Sequence, residues 1–189
     1  KELFEQAKDI VTDEVIGVIG SMGTKVVFTR QLFIPDIPSS NQLKKAPSEI
    51  YAAVISDIQV GSKLFLEEEF LKFIKWINGE SGSEEQRELA KKVKYLFIVG
   101  DIVEGIGIFP NQFNELDITD ITEQYNRTAE LLSKIRKDIK MILIPGNHDA
   151  MRLAEPQPVL DKVYAAKMYE IPNLTITTNP SLVNIASTP

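Results

Sequence analysis

Met141-Ile-Leu-Ile-Pro-Gly-Asn-His-Asp149 is a short apolar run that stops abruptly in Pro-Gly and then offers three side chains able to bind metal or move protons. An apolar run of that length ended by Pro-Gly reads as a buried strand, which leaves Asn147, His148 and Asp149 on the loop past its carboxyl end. His148 is the only histidine in the 189 residues. In an open parallel sheet ligands bind outside the carboxyl ends of the strands. The fold therefore turns on what else reaches that edge.

Two upstream stretches repeat the plan. Tyr51-Ala-Ala-Val-Ile55 ends in Ser56-Asp57-Ile58-Gln59, and Tyr95-Leu-Phe-Ile-Val99 ends in Gly100-Asp101 with Glu104 one short loop away. Both runs are continuously apolar, as suits strands covered on both faces. Helical patterns separate them. Leu66, Phe70, Phe73, Ile74 and Ile77 share one face of a helix over about Leu66 to Asn78, Gly79 is placed to stop it, and Trp76 reads as a partly buried aromatic. Glu84 to Lys92 reads as an exposed helix, with Lys91, Lys92 and Lys94 a solvated face. Asp120 with Glu123 resembles a capping box opening a helix to about Lys137. Beyond His148 the pattern predicts a helix from Val159 to Tyr169 and strands at Leu174–Thr178 and Leu182–Ile185.

Residues 1 to 47 have another texture. Lys1–Lys8 suits a short amphipathic helix, and Val15–Ile19, Lys25–Phe28 and Gln31–Ile34 read as short strands divided by turns such as Gly20-Ser-Met-Gly23. The proline-rich, aperiodic run Pro35–Pro47 reads as a linker. This gives a small β module with linker at 1–47 and an α/β domain at 48–189.

Composition narrows the chemistry. There are no cysteines, so thiolate metal sites and disulfides are excluded and oxygen-preferring metals become the default. The net charge of −6 argues against broad electrostatic attraction to nucleic acid, although a bound cation or local basic surface can override it. No apolar stretch approaches the roughly 20 residues of a membrane span, and Lys1 opens no signal peptide, so the chain is read as cytosolic with no membrane partner. A first residue other than Met marks a trimmed, processed or internal piece of a longer protein.

Strands joined by helical crossovers run parallel, so Asp57 with Gln59, Asp101, and Asn147 with His148 share one edge. Clustered carboxylates repel unless a cation lies between them. Two divalent ions roughly 3.5–4 Å apart would activate water for attack at phosphorus, with His148 beside them touching the phosphate or protonating a leaving oxygen. Each motif also has an ordinary reading. Asp57 suits a helix cap, Gly100-Asp101 a turn, and Asn147-His148-Asp149 a tight turn, while Glu104 reads either as support for the site or as solvent-facing.

In order and spacing, Ser56-Asp57-Ile58-Gln59, Gly100-Asp101-Ile-Val-Glu104 and Pro145-Gly-Asn-His-Asp149 resemble the first three motifs of the calcineurin-like metallophosphoesterases. Val60-Gly-Ser-Lys63, Gly105–Pro110, Gln124-Tyr125 and Glu155-Pro-Gln-Pro158 look closer still to the small subunits of archaeal family-D DNA polymerases, which are related to the B-subunits of eukaryotic replicative polymerases. The resemblance implies the N-terminal half of an αββα sandwich, preceded by the closing strands of an OB-fold at Asp13–Gly17 and Phe33–Pro38. It implies a manganese-dependent 3′–5′ exonuclease that acts on DNA and partners a large catalytic subunit. Asp57, Gln59, Asp101 and Asn147 would be metal ligands with Asp101 bridging, His148 would act on the phosphate, and Asp149 and Glu104 would support them. Two departures stand out. Gln59 occupies the place of the family's first histidine, and the family's later histidine motifs cannot occur in a chain with one histidine. This stretch alone is thus expected to be inactive, and a non-catalytic polymerase scaffold is the alternative.

Overall fold

Why the apolar runs become strands is clearest in the sheet they form. In the computed structural model, which describes residues 2–35 and 47–185, β3 (Tyr51–Ile55), β4 (Val93–Val99), β5 (Lys140–Ile144) and β6 (Leu174–Ile176) make a four-stranded sheet in that order, every pair parallel. α2 (Glu67–Ile77) and α3 (Glu84–Lys92) connect β3 to β4, α4 (Ile121–Leu132) connects β4 to β5, and α5 (Lys162–Tyr169) precedes β6. Register aligns Ile55, Ile98, Leu143 and Ile176 in one row, so the loops that follow leave the sheet at the same level. The core lies on the helix-covered face, where Leu96, Ile98, Met141 and Leu143 meet Ile74 and Ile77 of α2 and Tyr125, Leu131 and Leu132 of α4.

The helix ends follow their chemistry. α2 carries Glu67, Glu68 and Glu69 in its first turn and Lys75 in its last, both favourable to its dipole. The reciprocal capping box falls at Ser83 and Gln86 of α3. At Asp120 only half the expected box forms: its carboxylate accepts from Glu123 N–H at 2.9 Å, while the Glu123 side chain bonds Asn126. α4 also stops five residues before the expected Lys137, because Lys134 and Ile135 make tighter bonds to Leu131 and Leu132 that bury Ile135. α5 begins later than expected, at Lys162, where Asp161 caps Val163 N–H. Among the described residues, 182–185 form no strand.

Burial on both faces fails for β3. It is an edge strand, and Val54 is 66% exposed.

The chain divides into two compact units, Lys1–Lys45 and Ala46–Pro189. In the first, α1 (Glu2–Ala7) precedes an antiparallel hairpin of β1 (Gly17–Met22) and β2 (Val27–Phe33). The two short strands expected over 25–34 are one. A register shift at Ile19/Gly20 leaves Arg30 as an extra residue, and the bulge lets β2 run on while the turn moves to Gly23–Val26, closed by Gly23 N–H to Val26 O at 2.7 Å. The linker expected at 35–47 lies almost wholly outside the described residues.

Candidate metal centre

Pairing between the first two strands does not end where the strands end. Asp57 N–H donates to Gly100 O at 3.2 Å, Gln59 N–H to Asp101 O at 3.0 Å, and Val60 N–H to Ile102 O at 3.0 Å, so the two motif loops run side by side. Beyond the aligned row of Ile55, Ile98 and Leu143, Asp57 is the second residue, Asp101 the third and Asn147 the fourth. Asp57, Gln59 and Asp101 all adopt left-handed backbone, with φ of 53°, 51° and 51°. For residues with a β-carbon this costs about 1–2 kcal/mol each, and such strain gathers at functional sites.

The third loop is locked to the second. Asp101 Oδ1 accepts from His148 N–H at 2.8 Å, and Asp149 Oδ2 accepts from Asp101 N–H at 3.1 Å and Gly146 N–H at 2.8 Å. Only glycine fits at 146, because a β-carbon there would stand 2.2 Å from Asp101 Oδ1. Asp149 is 1% exposed, and Oδ1 has no hydrogen-bond partner among the described residues. Burial, opposed by the Gly146 N–H and reinforced by the charge of Asp101, pushes its carboxyl up to about 7. Asp149 thus ties the loops together, whereas Asp57 and Asn147 are exposed and Asp101, Gln59 and His148 are half-buried.

Glu104 is 4% exposed, which rules out the solvent-facing reading. Its backbone carbonyl lies 2.8 Å from His148 Nδ1. A carbonyl only accepts, so Nδ1 carries the proton and Nε2 is left as the acceptor nitrogen of the neutral ring. The Phe109 ring flanks the imidazole at 6.3 Å between centroids.

Several buried polar residues that hold this arrangement escaped sequence reading. Gln112 donates to the Glu104 carbonyl at 2.8 Å and side chain at 3.1 Å. From α4, Gln124 accepts from Gly105 N–H at 2.9 Å and Tyr125 Oη accepts from Ala150 N–H at 2.8 Å. Gln157 donates to Gly146 O at 3.1 Å and is joined to Asn179 by side-chain and backbone bonds. The only signal for them was Gln124-Tyr125 and Gln157 falling inside stretches that carry the family resemblance.

Among the described residues no three His, Asp or Glu side chains gather closely enough to hold a metal ion by themselves. What the strand ends bring to one edge is two carboxylates, Asp57 and Asp101, two amides, Gln59 and Asn147, and one imidazole. The carboxylate and amide oxygens of this set fit a hard divalent ion such as magnesium or manganese.

Residues 52–188 match the B-subunit family of DNA polymerases alpha and epsilon. The chain is 50% identical over 184 residues to the DNA polymerase II small subunit of Methanothermobacter thermautotrophicus, covering 97% of this chain and 38% of that protein. It is 40% identical over 186 residues to the protein of the same name from Pyrococcus furiosus, covering 97% and 30%, and 44% identical over 157 residues to that of Archaeoglobus fulgidus, covering 83% and 32%. The chain thus spans about a third of the length of these relatives.

Proposed function

The chain belongs to the B-subunit family of DNA polymerases alpha and epsilon, and from that premise we propose that it is the part of a small subunit of an archaeal family-D DNA polymerase that carries half of a metal-dependent 3′–5′ exonuclease site. The observation that carries this reading is the convergence of Asp57, Gln59 and Asp101, each in left-handed backbone, at neighbouring carboxyl ends of a parallel sheet. Two ions, manganese by family resemblance, would be held by Asp57, Gln59, Asp101 and Asn147. When bound, they supply a Lewis acid for the phosphate and an activated water. Asp101 orients the third loop through His148 N–H. His148, fixed through Nδ1, would, once protonated at Nε2, donate to a phosphate oxygen or give that proton to the leaving oxygen. The domain would be the N-terminal half of a calcineurin-like sandwich, with 1–47 the C-terminal part of an OB-fold module and its linker. The large polymerase subunit and DNA are its partners in this reading, and the cytoplasm its location. No helix among the described residues is long and apolar enough to cross a membrane.

The test is a manganese-dependent exonuclease assay on the full-length protein that contains this sequence, with and without His148→Ala. Loss of about 100-fold or more in the variant is expected for removal of a group acting on the phosphate. Equal rates, or no cleavage by either, would remove the catalytic reading. Gln59 in the place of an imidazole favours a second reading. In it the domain is a scaffold within a polymerase, and neither protein cleaves.

A further inference from the structure

α2 buries Ile74 and Ile77, which anchor it to the core. A second row of rings lies on its shoulder. Phe65 and Phe70 stand 6.2 Å apart between centroids, Phe70 and Phe73 5.9 Å apart and nearly parallel at 21°, and Phe73 and Trp76 6.0 Å apart. All four are only half-buried. A core edge would account for half-burial alone. It does not account for where the rings lie: Phe65, Phe70 and Phe73 line a groove of about 390 Å³ that Asp57 and Gln59 also line. That volume lies within the roughly 300–1,000 Å³ of small-molecule sites. At its lip Leu64 and Leu66 are 80% and 70% exposed. Glu69 also lines the groove, but its charge is met by Lys72 Nζ at 2.6 Å.

We propose that this groove is a nucleobase subsite, in which the base of the nucleotide whose phosphate lies at the Asp57 and Asp101 strand ends stacks on the Phe65–Phe70–Phe73 cluster. The inference rests on the phosphoesterase reading above. A ligand with an anionic group at one end and a flat apolar ring at the other matches a groove lined both by the candidate metal-ligand oxygens of Asp57 and Gln59 and by aromatic rings. Stacking is tolerant of sequence because every base has a π face, as an enzyme that removes successive nucleotides requires. An apolar peptide segment would match the rings but not the Asp57 carboxylate.

The experiment is calorimetry on the full-length protein with manganese, comparing thymidine 5′-monophosphate with 2-deoxyribose 5-phosphate, which lacks the base. The base-bearing ligand is expected to bind about tenfold tighter or more, within the range of base–aromatic stacking. Phe70→Leu keeps an apolar residue on the helix and should bring the nucleotide down towards the base-free ligand, whose affinity stays unchanged. Equal affinities for the two ligands, both lost in Asp57→Asn, overturn the subsite and leave the phosphate site standing. Unchanged nucleotide binding in Phe70→Leu also overturns the subsite. Failure of both ligands to bind overturns the subsite and the phosphoesterase reading together.

Discussion

Three side chains of the candidate site sit on backbone that glycine would adopt without cost. Left-handed Asp57 and Asp101 have some tolerance for it, because a short polar side chain can bond locally, but Gln59 has none. Gln59→Gly should therefore stabilise the fold by about 0.5–1 kcal/mol while weakening manganese binding. Thermal melting and metal titration of one variant read both effects, and a loss of stability would mean the conformation is not strained. Gln59→His should tighten manganese, and unchanged affinity by calorimetry would take residue 59 out of the site. The Gly146 contact makes a sharper demand. A β-carbon there meets Asp101 Oδ1 at 2.2 Å, whereas one at Gly79 meets nothing within 4 Å. Both glycines were legible as punctuation in the sequence, but the close approach at 146 was not. Gly146→Ala should cost about 2–4 kcal/mol in urea unfolding, beyond ordinary overpacking because backbone must move, and Gly79→Ala about 1 kcal/mol. Equal costs would show that Asp101 yields easily.

Among the elements, α4 positions two loops of the candidate site. Its first turns send Gln124 to Gly105 and Tyr125 to Ala150, so one helix fixes the loop after β4 and the loop after β5. Tyr125→Phe leaves Ala150 N–H without its acceptor and should cost about 1–2 kcal/mol. Amide exchange at Ala150 should rise with it, and unchanged protection would place the loop's order elsewhere. The apolar runs made the parallel strands and their carboxyl-end loops readable, since period and length suffice for that. They did not reveal that the sheet's second face is exposed at Val54 and Val99, because a run such as Tyr51–Ile55 looks the same whether or not that face is covered. The roles of Gln112, Gln124 and Gln157 could not be read for a related reason: glutamine is usually a surface residue, and only the fold brings buried carbonyls and amides to it. In the first unit, Gly20 reads as a turn residue but lies within β1, because the bulge opposite it absorbs the irregularity.

For the whole molecule, the candidate edge follows from topology. Parallel crossovers bring residues some 44 to 46 positions apart, Asp57, Asp101 and Asn147, to neighbouring loops, which the repeated strand-then-carboxylate plan made legible before any coordinates. If these loops form one metal-binding edge with Asp101 at its middle, manganese binding to the full-length protein depends on the Asp101 charge. By calorimetry, Asp101→Asn, which keeps the side chain's shape and an oxygen for His148 N–H but loses the charge, should bind manganese at least about tenfold more weakly with its fold intact. Equal manganese affinity in the two proteins would take Asp101 out of any metal site.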